Sequence, residues 1–134
     1  MAKVLIIEDD AAMRITLTRT LIASGYDIAV ASDGVKGLAA YRNTPTDVVL
    51  IDLFMPNKEG LETIIELRKE FPQAAIIAMS GHRKMDLMLR AARELGAVLS
   101  IKKPFEPEAL VALIEQAVRL SPRSRDSGPE TRDK

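Results

Sequence analysis

The stretch DVVLI at residues 47–51, followed directly by Asp52, decides the fold. Its apolar residues stand next to one another instead of alternating with polar ones, which is typical of a β-strand buried on both faces. Similar runs occur at residues 3–7 (KVLII) and 74–79 (AAIIAM). Strands of this kind belong to parallel sheets that helices cover on either side. The three runs therefore predict the centre of a parallel sheet.

Strand and helix patterns alternate along the rest of the chain. Residues 27–31 (DIAVA) and 97–101 (AVLSI) predict two further strands. Apolar residues recur at helical spacing between and after the strands, and the predicted helices span residues 11–23, 34–42, 57–70, 83–95 and 106–120. This alternation predicts an α/β protein with helices on both faces of the sheet, and ligands bound at the carboxyl ends of its strands.

Length and composition fit one domain. The 134 residues are 47% hydrophobic, which is enough to form a core. We expect the domain to span residues 1–120. Residues 121–134 (SPRSRDSGPETRDK) contain no large apolar side chain, so we expect them to form a disordered C-terminal tail.

Charge and cysteine content exclude several classes of function. The 19 Lys and Arg residues balance 19 Asp and Glu residues, so bulk charge would not drive binding to nucleic acid or to a membrane surface. The absence of Cys excludes disulfides, thiol nucleophiles and Cys-ligated metals. The start of the chain is unlike a signal peptide, and no apolar run approaches the ~18 residues of a membrane span. We therefore expect a cytoplasmic protein.

Polar side chains follow four of the predicted strands. They are Glu8, Asp9 and Asp10 after the first strand, Asp52 after the third, Ser80 after the fourth and Lys103 after the fifth. Since the carboxyl ends of parallel strands meet at one edge of a sheet, these groups should converge. Crowded carboxylates resist ionising together, and Mg²⁺ relieves this by binding their oxygens, often beside a phosphate. A carboxylate beside Mg²⁺, an ammonium and a hydroxyl is suited to attack a phosphoryl group.

Each of these residues also has an ordinary structural explanation. Asp10 can cap the following helix, Asp52 can be a turn residue, and Lys103 with Pro104 can form a loop. Their joint occurrence at successive strand ends favours a functional site over separate structural roles.

Four stretches of the chain, VLIIEDD, DVVLIDLFMPNKEG, IIAMSG and KKPF, resemble the receiver domain of two-component response regulators. They are spread over residues 4–105, and the pattern of the remaining residues extends the resemblance to about residues 1–120. The resemblance implies a CheY-like, flavodoxin-like fold. That fold is a doubly wound parallel sheet of five strands in the order 2-1-3-4-5, with helices on both faces.

The resemblance also implies the roles of the site residues. Asp52 would be the phosphoacceptor, Ser80 would hydrogen-bond the phosphoryl group, and Lys103 would pair with it. Mg²⁺ would be held by the side chains of Glu8, Asp9 and Asp52 and by the backbone carbonyl of Phe54.

The implied function is that of a phosphorelay module and not of a conventional enzyme. A histidine kinase or phosphotransfer protein would donate the phosphoryl group, and the chain would catalyse only its own phosphorylation and dephosphorylation. A downstream protein would bind the face formed by residues 84–95, 97–101 and 106–120. We expect no direct contact with nucleic acid or membrane, and a homodimer stays an open alternative.

Ser100 is the largest departure from the family pattern, and Phe54 and His82 are two further positions beside the site. Ser100 stands where the family usually has Tyr or Phe, so either the output uses another element or the phosphorylated state changes shape less. Phe54 and His82 flank the site and, by the resemblance, influence dephosphorylation. We expect Phe54 to shield the phosphoryl group from water.

Other functions stay as alternatives. A phosphohydrolase that works through an aspartyl phosphate commonly has a second acid two residues after the nucleophile, where this chain has Phe54. A degenerate receiver would bind partners without phosphorylation, although every acceptor-site residue is present. A flavin-binding carrier would need a phosphate-binding loop in place of the acidic residues 8–10. A DNA-binding regulator would need a helix-turn-helix, which we do not expect after residue 120.

Overall fold

A computed structural model describes residues 2–53, 60–81 and 85–121, and for residues 85–87 the backbone alone. In these residues five strands alternate with five helices. The strands are β1 (Lys3–Ile7), β2 (Asp27–Ala31), β3 (Val48–Asp52), β4 (Ile76–Ser80) and β5 (Leu99–Lys102). The helices are α1 (Ala11–Ala23), α2 (Gly34–Asn43), α3 (Gly60–Glu70), α4 (Met85–Leu95) and α5 (Pro107–Leu120).

The sheet has the strand order β2-β1-β3-β4-β5, and every pair of neighbouring strands is parallel. The predicted doubly wound sheet of order 2-1-3-4-5 is therefore confirmed. The strand order reverses between β1 and β3, because β2 lies on one side of β1 and β3 lies on the other. At this point Ile7 pairs with Ile51. Ligands of such sheets bind at the carboxyl ends of the strands near this reversal.

Three strands begin later than the sequence pattern predicted. The third was predicted at 47–51, the fourth at 74–79 and the fifth at 97–101. For the fourth and fifth strands, hydrogen bonds outside the sheet explain the later start, because Ala74 N donates to Phe71 O and Ala97 N donates to Ala92 O. The third and fourth strands also end one residue later than predicted, so Asp52 and Ser80 are the last residues of β3 and β4 and do not follow them.

The core has one layer on each face of the sheet. Alternate residues of β1 and β3, such as Leu5 and Ile51, pack with α2, α3 and α4 in one buried cluster. The residues between them, such as Ile6 and Leu50, pack with α1 and α5 in a second cluster. The prediction that these apolar runs are buried on both faces is confirmed. Each such side chain contributes roughly 1.5–3 kcal/mol when it leaves water.

A capping residue precedes α1, and a glycine follows it. The carboxylate of Asp10 accepts a hydrogen bond from Ala12 N at 3.0 Å, so Asp10 is the predicted N-cap. Gly25 follows the helix with a φ of 96°, a conformation that favours glycine at a helix C-terminus.

Several predictions fall outside the described residues. The first residues of the third predicted helix, 57–59, lie there, as do 83–84 of the fourth and 122–134 of the predicted tail. The domain boundary at residue 120 and the disorder of the tail therefore stay predictions. None of the helices in the described part of the chain has the length and apolar character that a membrane span requires.

Candidate functional site

Three carboxylates meet at the carboxyl edge of the sheet. One oxygen each from Glu8, Asp9 and Asp52 lies within 4.8 Å of the others. Glu8 and Asp9 follow β1, and Asp52 ends the neighbouring strand β3, so the parallel pairing of these strands brings them together. Glu8 is fully buried and Asp52 is 5% exposed, whereas Asp9 is open to solvent. The predicted convergence of these side chains is confirmed.

Lys103 joins this cluster from beyond β5. Its ammonium donates a hydrogen bond to Glu8 Oε1 at 2.9 Å and lies 3.4 Å from Asp52 Oδ2. The backbone N–H of Lys103 donates to Ser80 O at 2.9 Å, which extends the pairing of β4 with β5 past the end of the sheet. That extension fixes the base of the lysine side chain, so its charge is held over the two buried carboxylates.

The electrostatics of the site follow from burial and crowding. Burial raises the pKa of Glu8 to about 7, the nearby charge of Asp52 adds to the rise, and the hydrogen bond from Lys103 opposes it. Burial pulls the pKa of Lys103 down, but the hydrogen bond to Glu8 and the charge of Asp52 outweigh burial and leave that pKa raised. The cluster therefore holds an excess of acid that one ammonium offsets only in part.

Ser80 ends β4 at the same edge of the sheet. It is fully buried, and it directly follows Met79, the register partner of Asp52. Its hydroxyl is thus placed on the strand next to the one that carries Asp52. Phe54 and His82, for which roles were predicted, lie outside the described residues.

Arg14 is a contributor that sequence reasoning missed. It lies in the second turn of α1, and its Nη1 donates to Glu8 O at 2.8 Å and to Asp9 O at 3.4 Å. The signal that could have found it is a lone basic residue four positions after the N-cap Asp10, in a helix that begins among acids. A side chain there leans towards the helix N-terminus and can reach the preceding loop.

The donor set fits a hard divalent cation. Mg²⁺ binds one or two protein carboxylates directly and fills its remaining octahedral positions with water or phosphate oxygens. The three carboxylates supply such oxygens, and the exposure of Asp9 leaves solvent access for the waters. The acidic cluster can therefore bind a metal ion of this kind.

Ser100 lies apart from the carboxylate cluster. It is half-buried on β5 and lines a groove of about 560 Å³ between α4 and β5. Buried Leu89 and Ala97 contribute to the groove. Its exposed charged residues are three basic ones and one acid: Arg90, Arg93, Lys102 and Glu94. Open space thus adjoins the position where the family usually has an aromatic ring.

The apolar side of α4 is partly buried. Leu89 and Ala92 are buried in the core beside α3 and β4, and Leu95 is 37% exposed. The side chains of residues 85–87 are not described, so partner binding by residues 84–95 stays a prediction.

Comparison with known proteins agrees with this geometry. The sequence model of the response regulator receiver domain matches residues 4–115. The chain is 32% identical over 129 residues to the response regulator MprA of Mycobacterium sp. (strain KMS), covering 96% of this chain and 55% of that protein. It is 33% identical over 117 residues to the DNA-binding response regulator MtrA of Mycobacterium tuberculosis, covering 87% of this chain and 50% of that protein.

A solved structure shows the same architecture. The response regulator receiver domain protein of Clostridium thermocellum superposes with a TM-score of 0.82 at 29% identity, covering 89% of this chain and 95% of that one. The chain spans about half the length of the curated relatives MprA and MtrA. It belongs to the response regulator receiver domain family, whose members act in phosphorylation-based two-component signalling.

Proposed function

We propose that Asp52 accepts a phosphoryl group from a phosphohistidine of a histidine kinase or phosphotransfer protein, in a reaction that requires Mg²⁺. The observation that carries this proposal is the position of the Lys103 ammonium, 3.4 Å from Asp52 Oδ2 and 2.9 Å from Glu8 Oε1. A nucleophilic carboxylate is thereby flanked by a fixed cation and by two further carboxylates that fit a metal ion.

The phosphoryl transfer is a displacement at phosphorus. A carboxylate oxygen of Asp52 forms a bond to phosphorus while the bond from phosphorus to the histidine nitrogen breaks, and the departing electron pair stays on the imidazole. The side chains of Glu8, Asp9 and Asp52 and the backbone carbonyl of Phe54 would hold the Mg²⁺ ion. When bound, this ion would neutralise negative charge on the phosphoryl oxygens.

Two protein groups near Asp52 would each stabilise negative charge on the phosphoryl oxygens. Lys103 can turn from the carboxylates to a phosphoryl oxygen, because its ammonium lies between Glu8 and Asp52. Ser80 would donate its hydroxyl to another phosphoryl oxygen. Fixed donors of this kind stabilise developing charge without reorganising at the moment of reaction.

The chain would catalyse only its own phosphorylation and dephosphorylation and would not turn over a separate substrate. Water would hydrolyse the acyl phosphate and return Asp52 to its carboxylate. A phosphohydrolase is the weaker alternative, since the residue two positions after Asp52 is Phe54 and not a second acid.

Phosphorylation would signal through a change in partner binding at the face formed by α4, β5 and α5. The groove between α4 and β5, with its buried apolar floor and exposed Arg90 and Arg93, supports a protein partner for this face. MtrA is named a DNA-binding regulator, so the absence of nucleic-acid contact is a prediction for this domain alone. The cytoplasmic location and the choice between monomer and dimer also stay predictions.

The test is incubation with Mg²⁺ and acetyl phosphate followed by intact mass measurement. The wild type should gain one phosphoryl group, and Asp52→Asn should gain none. Asp27→Asn, which changes an exposed acid at the start of β2, is the matched control and should react like the wild type. An adduct that persists in Asp52→Asn, or no adduct in folded wild type, would refute the proposal.

A further inference from the structure

One guanidinium holds both peptide groups that flank Asp9. The carbonyl of Glu8 belongs to the peptide before Asp9, and the carbonyl of Asp9 belongs to the peptide after it. Arg14 Nη1 donates to the first at 2.8 Å and, more weakly, to the second at 3.4 Å. Because both peptide planes are hydrogen-bonded to the same nitrogen, Arg14 Nη1, the backbone rotations of Asp9 between these planes are restricted.

Asp9 is the member of the carboxylate cluster for which such restriction matters most. Glu8 is fully buried and hydrogen-bonded by Lys103, and Asp52 is fixed within β3. Asp9 lies beyond β1 and is exposed, so the direction of its carboxylate depends on the loop backbone. Ordering a loop residue on binding costs conformational entropy, and a preformed loop has already lost that entropy before the ligand binds.

The helix that carries Arg14 is a firm base for this contact. Leu17 and Leu21 anchor α1 in the core, and Asp10 caps its first turn. The loop is therefore held from three directions. Glu8 N donates to Ala31 O of β2, Asp10 caps the helix, and Arg14 reaches back over the peptides between them.

We infer that Arg14 is a positioning residue that orients Asp9 for Mg²⁺ binding. The inference rests on the proposed function in one respect, namely that the cluster binds Mg²⁺. The inference predicts an effect of Arg14 on Mg²⁺ affinity that is opposite in sign to the effect of charge repulsion alone. A guanidinium near a cation site repels the cation, so its charge alone would weaken Mg²⁺ binding and its removal would tighten it. If Arg14 acts by orienting Asp9, its removal weakens binding.

The experiment measures the Mg²⁺ midpoint, the concentration that gives half of the saturating change in amide chemical shifts in an isothermal NMR titration, which needs no phosphorylation. Arg14→Met should raise this midpoint roughly tenfold, the lower range for residues that support metal ligands. Arg14→Lys keeps a donor and should recover part of the loss. Arg19→Met removes an exposed arginine from the same helix and should match the wild type.

The outcomes separate positioning from a general structural role. An unchanged or lower midpoint in Arg14→Met overturns the inference, as does a lower melting temperature without Mg²⁺ combined with an unchanged midpoint. Should Arg14→Met not fold, Arg14→Gln is judged by the same criteria.

Acetyl phosphate labelling of the same samples keeps this inference apart from the proposed function. A wild type that takes up no phosphoryl group, with the midpoint still raised in Arg14→Met, refutes the proposed function and supports the role of Arg14. A labelled wild type with equal midpoints refutes the role of Arg14 alone.

Discussion

Lys103 Nζ and Glu8 Oε1 form a 2.9 Å hydrogen bond that links the ends of the last and first strands of the chain. The carboxyl of Glu8 is almost fully buried, and the side chain of Lys103 is only 17% exposed. The same ammonium also faces Asp52, so one half-buried cation pairs with both acids. This relationship gives the site two properties, an acid excess that a metal ion can offset and a cation ready for a phosphoryl oxygen.

Lys103→Gln should slow phosphorylation at Asp52 on the order of 100-fold, the usual cost of losing one group that stabilises transition-state charge. The substitution keeps much of the side-chain length but removes the positive charge from Glu8 and Asp52. The measurement is the rate of adduct formation at saturating Mg²⁺ and acetyl phosphate. Lys69→Gln, an exposed change on α3, is the control. Equal rates for the two variants would show that the ammonium plays no part.

Glu8→Gln should stabilise the Mg²⁺-free protein above a pH of about 7. Burial raises the pKa of Glu8 from its ordinary 4.5 to about 7, so between these values the folded protein holds a proton that the unfolded chain has lost. Native stability therefore falls as pH rises through this window. The rise in melting temperature of Glu8→Gln over the wild type should be small at pH 4.5, should grow with pH and should level off above pH 7.

Glu70→Gln is the control of opposite sign. The hydrogen bond from Arg42 lowers the pKa of Glu70, so this exposed pair contributes its stability above the ordinary pKa of the acid and loses it as pH falls. Glu70→Gln should thus lower the melting temperature slightly at neutral pH. A gain from Glu8→Gln that does not change with pH would contradict the account of Glu8.

Gly60→Ala should destabilise the fold by roughly 1–3 kcal/mol, as overpacking in a tight site does. A Cβ at Gly60 would lie 2.5 Å from both Asp52 O and Leu53 Cα, and these backbone atoms cannot turn aside. The start of α3 would have to move away from the end of β3. Urea unfolding measures the loss, with the exposed Glu62→Ala in the same helical turn as control. Wild-type stability in Gly60→Ala would contradict this close approach.

Ser100→Tyr should leave the melting temperature unchanged or higher. Ser100 lines the groove of about 560 Å³, so a ring has space, and Tyr favours strands more than Ser. Ala78, its register partner on β4, is fully buried, and Ala78→Tyr should strongly destabilise the protein. A loss in Ser100→Tyr as large as that in Ala78→Tyr would show that the groove does not admit a ring.

The edge of the sheet where the site lies could be predicted from the chain. Consecutive apolar residues in β1 and β3 indicated strands buried on both faces, and acids at the ends of those strands indicated a shared edge. Convergence of Glu8, Asp9 and Asp52 then follows from parallel pairing, whatever the exact register. The strand order came from the resemblance and not from the pattern, because periodicity does not encode which strands are neighbours.

Other features depend on tertiary distances that no spacing encodes. The pattern could place Lys103 at the edge but could not show that Glu8 is its nearer partner. Arg14 has little signal in the sequence beyond its position four residues after Asp10, since its contacts are with backbone oxygens. The burial of Leu89 with Leu95 left exposed reflects how α4 sits on the sheet.

The most direct test of the central claim is to identify the residue that carries the phosphoryl group. The protein is incubated with Mg²⁺ and acetyl phosphate, reduced with sodium borohydride, which converts an acyl phosphate to an alcohol, and sequenced by tandem mass spectrometry. We predict homoserine at position 52 and unmodified Glu8 and Asp9. An alcohol at position 8 or 9, with an intact Asp52 in the labelled protein, would contradict the account.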